Sequence, residues 1–222
     1  MGENLKNVVS SKRFLLVLAA TAALCFNNWL LGPLLNHRLF WHNGSVSELS
    51  ALDQPHHSIF RTLDILSGVL LIGLACLLFI KAKKKDGWRS LAMWTVGILG
   101  LANIIDAAFS LACSETLDKA CVIPVSLSFS HPELPSHAYS SVVIAICYFV
   151  LPLSVLIFAI KQRIRPLTVL SAGAIGVALI SFMLALTEYL DERSFSVRTS
   201  GAGQEIQMLV VGSCIVVFAL FA

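Results

Sequence analysis

Six stretches of this chain run for 17 residues or more with hardly a charge, and they restrict the fold more than any motif does. They cover 14–36, 62–80, 90–114, 134–160, 166–187 and 206–222. Asp64 is the only Asp, Glu, Lys or Arg in the second, Asp106 the only one in the third, and the other four have none. A helix rising about 1.5 Å per residue needs about 20 apolar residues to cross about 30 Å of hydrocarbon. Inside lipid each backbone amide must be satisfied within its own segment, which selects helices. Strands of a membrane barrel would alternate apolar with polar residues, and these stretches are continuous. With 57% hydrophobic and 13% charged residues, against about 25% charged in a soluble domain, the composition excludes a soluble globule, a disordered chain, a coiled coil and a nucleic-acid-binding module. The expected fold class is all-α: residues 1–222 form one membrane domain, a bundle of six transmembrane helices.

The first stretch imitates a secretory signal, because Lys6, Lys12 and Arg13 precede an apolar run with small residues at 19–23. That run continues through 29–31 and 34–35, beyond the roughly 7–15 residues of a signal core. Leu24 precedes Cys25, where a lipoprotein cleavage site needs a small residue. An uncleaved first helix is therefore expected. Lysine and arginine in short loops set orientation. With the amino terminus inside, eleven of the sixteen fall on the cytoplasmic side, five of them at Lys81, Lys83, Lys84, Lys85 and Arg89. Both termini are therefore expected in the cytoplasm. The longer loops, at about 37–61, 115–133 and 188–205, then lie outside, and long loops are where function tends to concentrate.

All six histidines fall on that outer side: His37, His42, His56, His57, His131 and His137. Asp64, Asp106, Glu188, Asn27, Asn28, Gln204, Glu205 and Gln207 sit at or near the outer ends of their helices. Ionisable groups at that depth are costly and usually face a bundle interior or a wet cavity, so a polar pocket open to the outside is expected. Asp106, His137 and Asp64 are the candidate catalytic residues. For Asp64 a plain alternative stands beside this, pairing with Arg61 one turn earlier on the same helix face. Asp106 has no such alternative nearby and lies near a helix C-terminus, where the dipole disfavours an acid. His137 reads equally as an interfacial histidine, and Glu188, beside Asp191 and Glu192, as a solvated loop acid.

No metal is named by the sequence. The histidines lack the i, i+4 spacing that puts two imidazoles on one helix face, although Asp64, Asp106 and His137 could converge on zinc from separate helices. No cofactor is named either: there is no G-x-S-x-G, glycine-rich phosphate loop, kinase motif or haem C-x-x-C-H. Cys25, Cys76, Cys147 and Cys214 lie inside helices as small apolar residues. Cys113 and Cys121 flank a short outer loop on the oxidising side, where a disulfide is expected.

The run Ser47-Glu-Leu-Ser-Ala-Leu-Asp-Gln-Pro55, followed by Phe60-Arg-Thr-Leu-Asp64 and Gly68, resembles the DUF998 family of six-helix bacterial membrane proteins. Asp106-Ala-Ala-Phe, Cys113, Cys121 and His137 are similar to that family's segment between helices three and four. The resemblance implies the six-helix architecture, a bacterial inner membrane, and weight on the polar residues after helices one and three; it implies no activity. Three functions compete. One is a protein binding or acting on a lipid or lipid-linked substrate at the outer leaflet, with Asp106 and His137 as an acid–base pair. Another is a non-enzymatic accessory or immunity-type partner of another protein. The third is a small transporter, disfavoured because the inner halves of the helices carry almost nothing polar. Membrane lipids are the expected partners, a protein partner is open, and nucleic acid is excluded.

Overall fold

A computed structural model describes residues 12–42, 44–82, 86–121, 136–190 and 200–221, with side chains for all of these but 136, 138, 185–190 and 200. Among them every regular element is helical. The long helices are α1 (Lys12–Phe26), α2 (His57–Lys81), α3 (Gly87–Ala108), α4 (Ser136–Gln162), α5 (Arg165–Leu190) and α6 (Ser200–Phe221). Short helical segments, Asn28–Leu31, Gly32–Leu35, His37–Trp41 and Val46–Ser50, fill the stretch between α1 and α2. Five helices are long and apolar enough to cross a membrane, or six if α1 and Asn28–Leu35, bent by 57° at the break between them, form one span. The protein is a multi-pass membrane protein.

Each helix packs on the next, and α6 returns to α1, so the bundle closes into a ring that α4 and α6 also bridge. Local chemistry marks several helix starts. The Asp86 carboxylate accepts from the Trp88 and Arg89 amides at the head of α3, satisfying donors that have no partner in the helix. Pro166 is the second residue of α5, where its missing N–H costs nothing. Pro152 lies within α4, a position membrane helices tolerate.

The core fills the half of the ring toward the Lys81–Asp86 connection, hereafter the lysine end. Leu71, Leu74, Leu78, Val96, Leu99, Leu151, Val155, Ile215 and Phe218 have no exposure there. Facing outward, Leu24, Ile80, Trp94, Val169 and Ile180 are each more than half exposed. A helix apolar on every face needs a lipid neighbour, and these side chains supply that surface.

Several expected boundaries move, and the sixth stretch opens at Ser200 rather than at 206. The stretch 14–36 is broken after Phe26, because Asn27 turns its amide back to the Ala23 carbonyl at 2.8 Å, while Asn28 reaches across to α2. The stretch 62–80 starts five residues earlier, at His57, after His56 adopts a left-handed φ of 58°. The stretch 90–114 ends at Ala108 rather than Ser114. Arg61 Nε donates to the Ala107 carbonyl at 3.1 Å, satisfying a terminal acceptor of α3, and the next apolar residues join a loop. His131 and the remainder of 122–135 lie outside the described residues.

Candidate functional site

At the end opposite the lysines, helix periodicity brings polar residues inward from several helices. On α2, Asp64 and Ser67 are one turn apart; on α3, Asn103 and Asp106 are as well. Asn103 Nδ2 donates to Ser67 Oγ at 2.6 Å and to the Asp64 carbonyl at 2.9 Å, locking α3 to α2. Asn28 Nδ2 donates to Asp64 Oδ1 at 2.6 Å from the bend after α1. On α4, Ser140 and Ser141 donate to Asp106 Oδ1 at 2.7 and 3.0 Å. His137 Nδ1 approaches the same oxygen at 3.2 Å but off the direction of a hydrogen bond, so the contact is one of charge proximity. Among the described residues all bonds to both carboxylates go to Oδ1, and neither Oδ2 has a hydrogen-bond partner.

Those carboxylates look into a cavity of about 250 Å³. Asn103, Ser141, Tyr148 and Gln207 complete its polar wall, and Phe149, Phe182 and Met208 form an apolar one. None of its described lining residues is basic. The Val46 amide donates to Gln204 Oε1 at 3.0 Å, tying the loop over the cavity to α6.

The structure therefore brings Asp106 and His137 together and puts Asp64 and Asp106 on one cavity. His137 is buried behind Asp106 and does not line the space. The pairing of Asp64 with Arg61 does not occur: Arg61 serves the end of α3, and Asp64 accepts from Asn28. Among the described residues no three His, Cys, Asp or Glu side chains are grouped to hold a metal, so Asp64, Asp106 and His137 do not form a zinc site. Glu188 lies on α5, its side chain outside the described set.

A second cluster roofs the site. Cys113 and Cys121 are joined. Glu48, 4% exposed, accepts from the Ser45 amide (3.2 Å) and hydroxyl (3.1 Å), from the Thr116 amide (3.1 Å) and hydroxyl (2.9 Å), and from the Ser114 hydroxyl. Asp53 Oδ2 accepts from the Ser114 amide, and the Leu52 amide donates to the Leu111 carbonyl. Sequence reasoning did not identify Glu48, Asn103, Ser140, Ser141 or Tyr148 as site residues. Signals existed for some: Ser45-x-x-Glu48 is a capping-box pattern, and Ser140 and Ser141 follow His137 by three and four positions, on one helix face.

A multi-pass membrane protein with a cavity of mixed polar and apolar lining at one end of a helical ring is the class these observations define. Residues 17–222 match the family described as protein of unknown function, DUF998, and the chain belongs to that family. No curated protein and no solved structure matches it.

Proposed function

We propose that the protein binds the head of a lipid or lipid-linked amphiphile drawn from the outer leaflet of a bacterial cell membrane. One observation carries this reading: a cavity within the span of the bundle has carboxylate, amide and hydroxyl groups on one wall and Phe149, Phe182 and Met208 on the other. Such division suits a molecule with a polar head and an apolar stem. Binding is favoured over catalysis by what the hydroxyls do. Ser141 donates to Asp106 and Ser181 to the Gly203 carbonyl, and His137, the natural base, does not reach the cavity. Asp106 is thus the group a ligand meets, and His137 a positioning residue for it. Transport is disfavoured because the fully buried Leu71, Leu74, Leu99, Leu151 and Ile215 fill the path toward the lysine end.

The outward direction rests on the excess of lysine and arginine at the other end, and the Cys113–Cys121 bond agrees, since disulfides persist on the oxidising side. In a chain whose free cysteines are replaced, a cysteine at Ser45 should react with an impermeant maleimide added to whole cells. One at Lys84 should react only after lysis; the opposite pattern would turn the cavity inward.

For binding itself, Ala145→Trp places a large side chain on the cavity lining of α4 at an exposed position, where it meets little core packing. Protein extracted from its membrane and analysed by native mass spectrometry should carry a co-purified amphiphile. The Trp variant should retain at least tenfold less. Equal retention, or none in the unmodified protein, would defeat the binding reading.

A further inference from the structure

Resting on that reading, we infer that the head the cavity takes is a protonated amine, placed between Asp64 Oδ2 and Asp106 Oδ2. Two carboxylates, one from α2 and one from α3, share one small space. Each uses only Oδ1 within the described protein, and no basic side chain among the described lining residues balances them. Charge inside a membrane bundle is expensive unless paired. A phosphate head would add like charge, and a sugar would supply hydrogen bonds but no charge for Asp64, since His137 stands beside Asp106 alone. An ammonium group supplies both charge and N–H donors.

Independent of the acids, two further side chains are poised for a ligand. Gln207 and Tyr148 are each 8% exposed, and both line the cavity. Among the described residues neither the Gln207 amide nor the Tyr148 hydroxyl has a hydrogen-bond partner. Their polar tips are not sealed inside the protein but open onto the cavity, where an arriving head can bond them. Phe149 and Phe182, in mutual edge contact at 6.3 Å, offer ring surface of the kind that attracts cations. A volume of about 250 Å³ falls below the roughly 300–1,000 Å³ of pockets that enclose a drug-sized molecule. It accommodates a head while the chain stays in lipid.

The test compares three probes with one tail: dodecylamine, dodecyl phosphate and dodecyl glucoside, each titrated onto the purified full chain and read by native mass spectrometry. Dodecylamine should be retained at least tenfold over the other two. Asp64→Asn and Asp106→Asn should each reduce that preference about tenfold, and Gln207→Leu should reduce it less. The ranking of the three probes on the unmodified protein decides between amine and non-amine heads even where a variant does not fold. Equal or better retention of the phosphate or the glucoside would overturn the amine and leave the amphiphile reading standing. No probe retained above the Ala145→Trp level would overturn both.

Discussion

Gly68→Ala and Gly100→Ala should each cost the bundle much of its stability, whereas Gly73→Ala on the same helix as Gly68 should not. A Cβ at Gly68 would lie 2.5 Å from the Gly100 carbonyl oxygen and 2.5 Å from Ile104 Cγ1. One at Gly100 would lie 2.6 Å from the Gly68 carbonyl oxygen and 3.0 Å from Leu71 Cβ. The obstacle in both cases is backbone, which cannot rotate away as a flexible side chain can, so α2 and α3 must separate. Overpacking a tight core typically costs about 1–3 kcal/mol, and contact with backbone puts these two at or above the upper end. Gly73 has nothing within 4 Å, and alanine there gains about 1 kcal/mol of helix propensity. Thermal unfolding of the purified proteins should show both close-contact variants well below the unmodified protein and Gly73→Ala at or above it. Gly68 is one turn from Asp64, and Gly100 one turn from Asn103. The same separation would therefore pull apart the Asn103 bonds to α2 and deform the cavity. Near-normal melting of both variants would show that the helices do not cross this closely.

The membrane architecture was legible because lipid leaves the chain few options: long apolar runs must be helices, and five of six stretches hold one long helix each. Hydropathy failed where apolar residues serve something other than a span. The segment 109–113 reads as helix by composition, yet Arg61 closes α3 at Ala107 and the Leu52 amide takes up the Leu111 carbonyl. The bend after Phe26 was concealed for the opposite reason. Asn27 and Asn28 carry no charge to interrupt an apolar window, but their amides bond the Ala23 and Phe60 carbonyls and the Asp64 carboxylate. Asp106 and His137 could be placed together because they sit at the same ends of two helices that follow one another in the chain. Tyr148 could not, since its ring packs edge-on against Phe26 at 6.1 Å and nothing in a single sequence separates that core tyrosine from one that also lines a cavity.

Glu48→Gln should destabilise the loop roof about as severely as Glu48→Ala, although glutamine keeps nearly the same shape. Each oxygen of the Glu48 carboxylate accepts from a backbone amide: Oε1 from Ser45, Oε2 from Thr116. A carboxylate only accepts, so both are satisfied at once. A glutamine amide has one accepting and one donating end. Whichever way it is turned, an NH₂ faces a backbone N–H, and the three hydroxyls can rotate to relieve themselves but the amide cannot. Alanine removes the clash and leaves both amides without their acceptor. A buried donor left unsatisfied costs about 1–3 kcal/mol, so either variant should lose about 2–4 kcal/mol of the stability with which the two loops hold together. That loss should appear as a lower unfolding temperature and as faster amide exchange at Ser45 and Thr116. The Val46 amide bonds Gln204 of α6 immediately beside this hub, so loosening it should also free the loop over the cavity and speed ligand release. A Glu48→Gln protein that melts and exchanges like the unmodified one would mean that the other bonds between the loops, Ser114 to Asp53 and Leu52 to Leu111, hold the roof, with the buried carboxylate contributing nothing to the shape of the site beneath it.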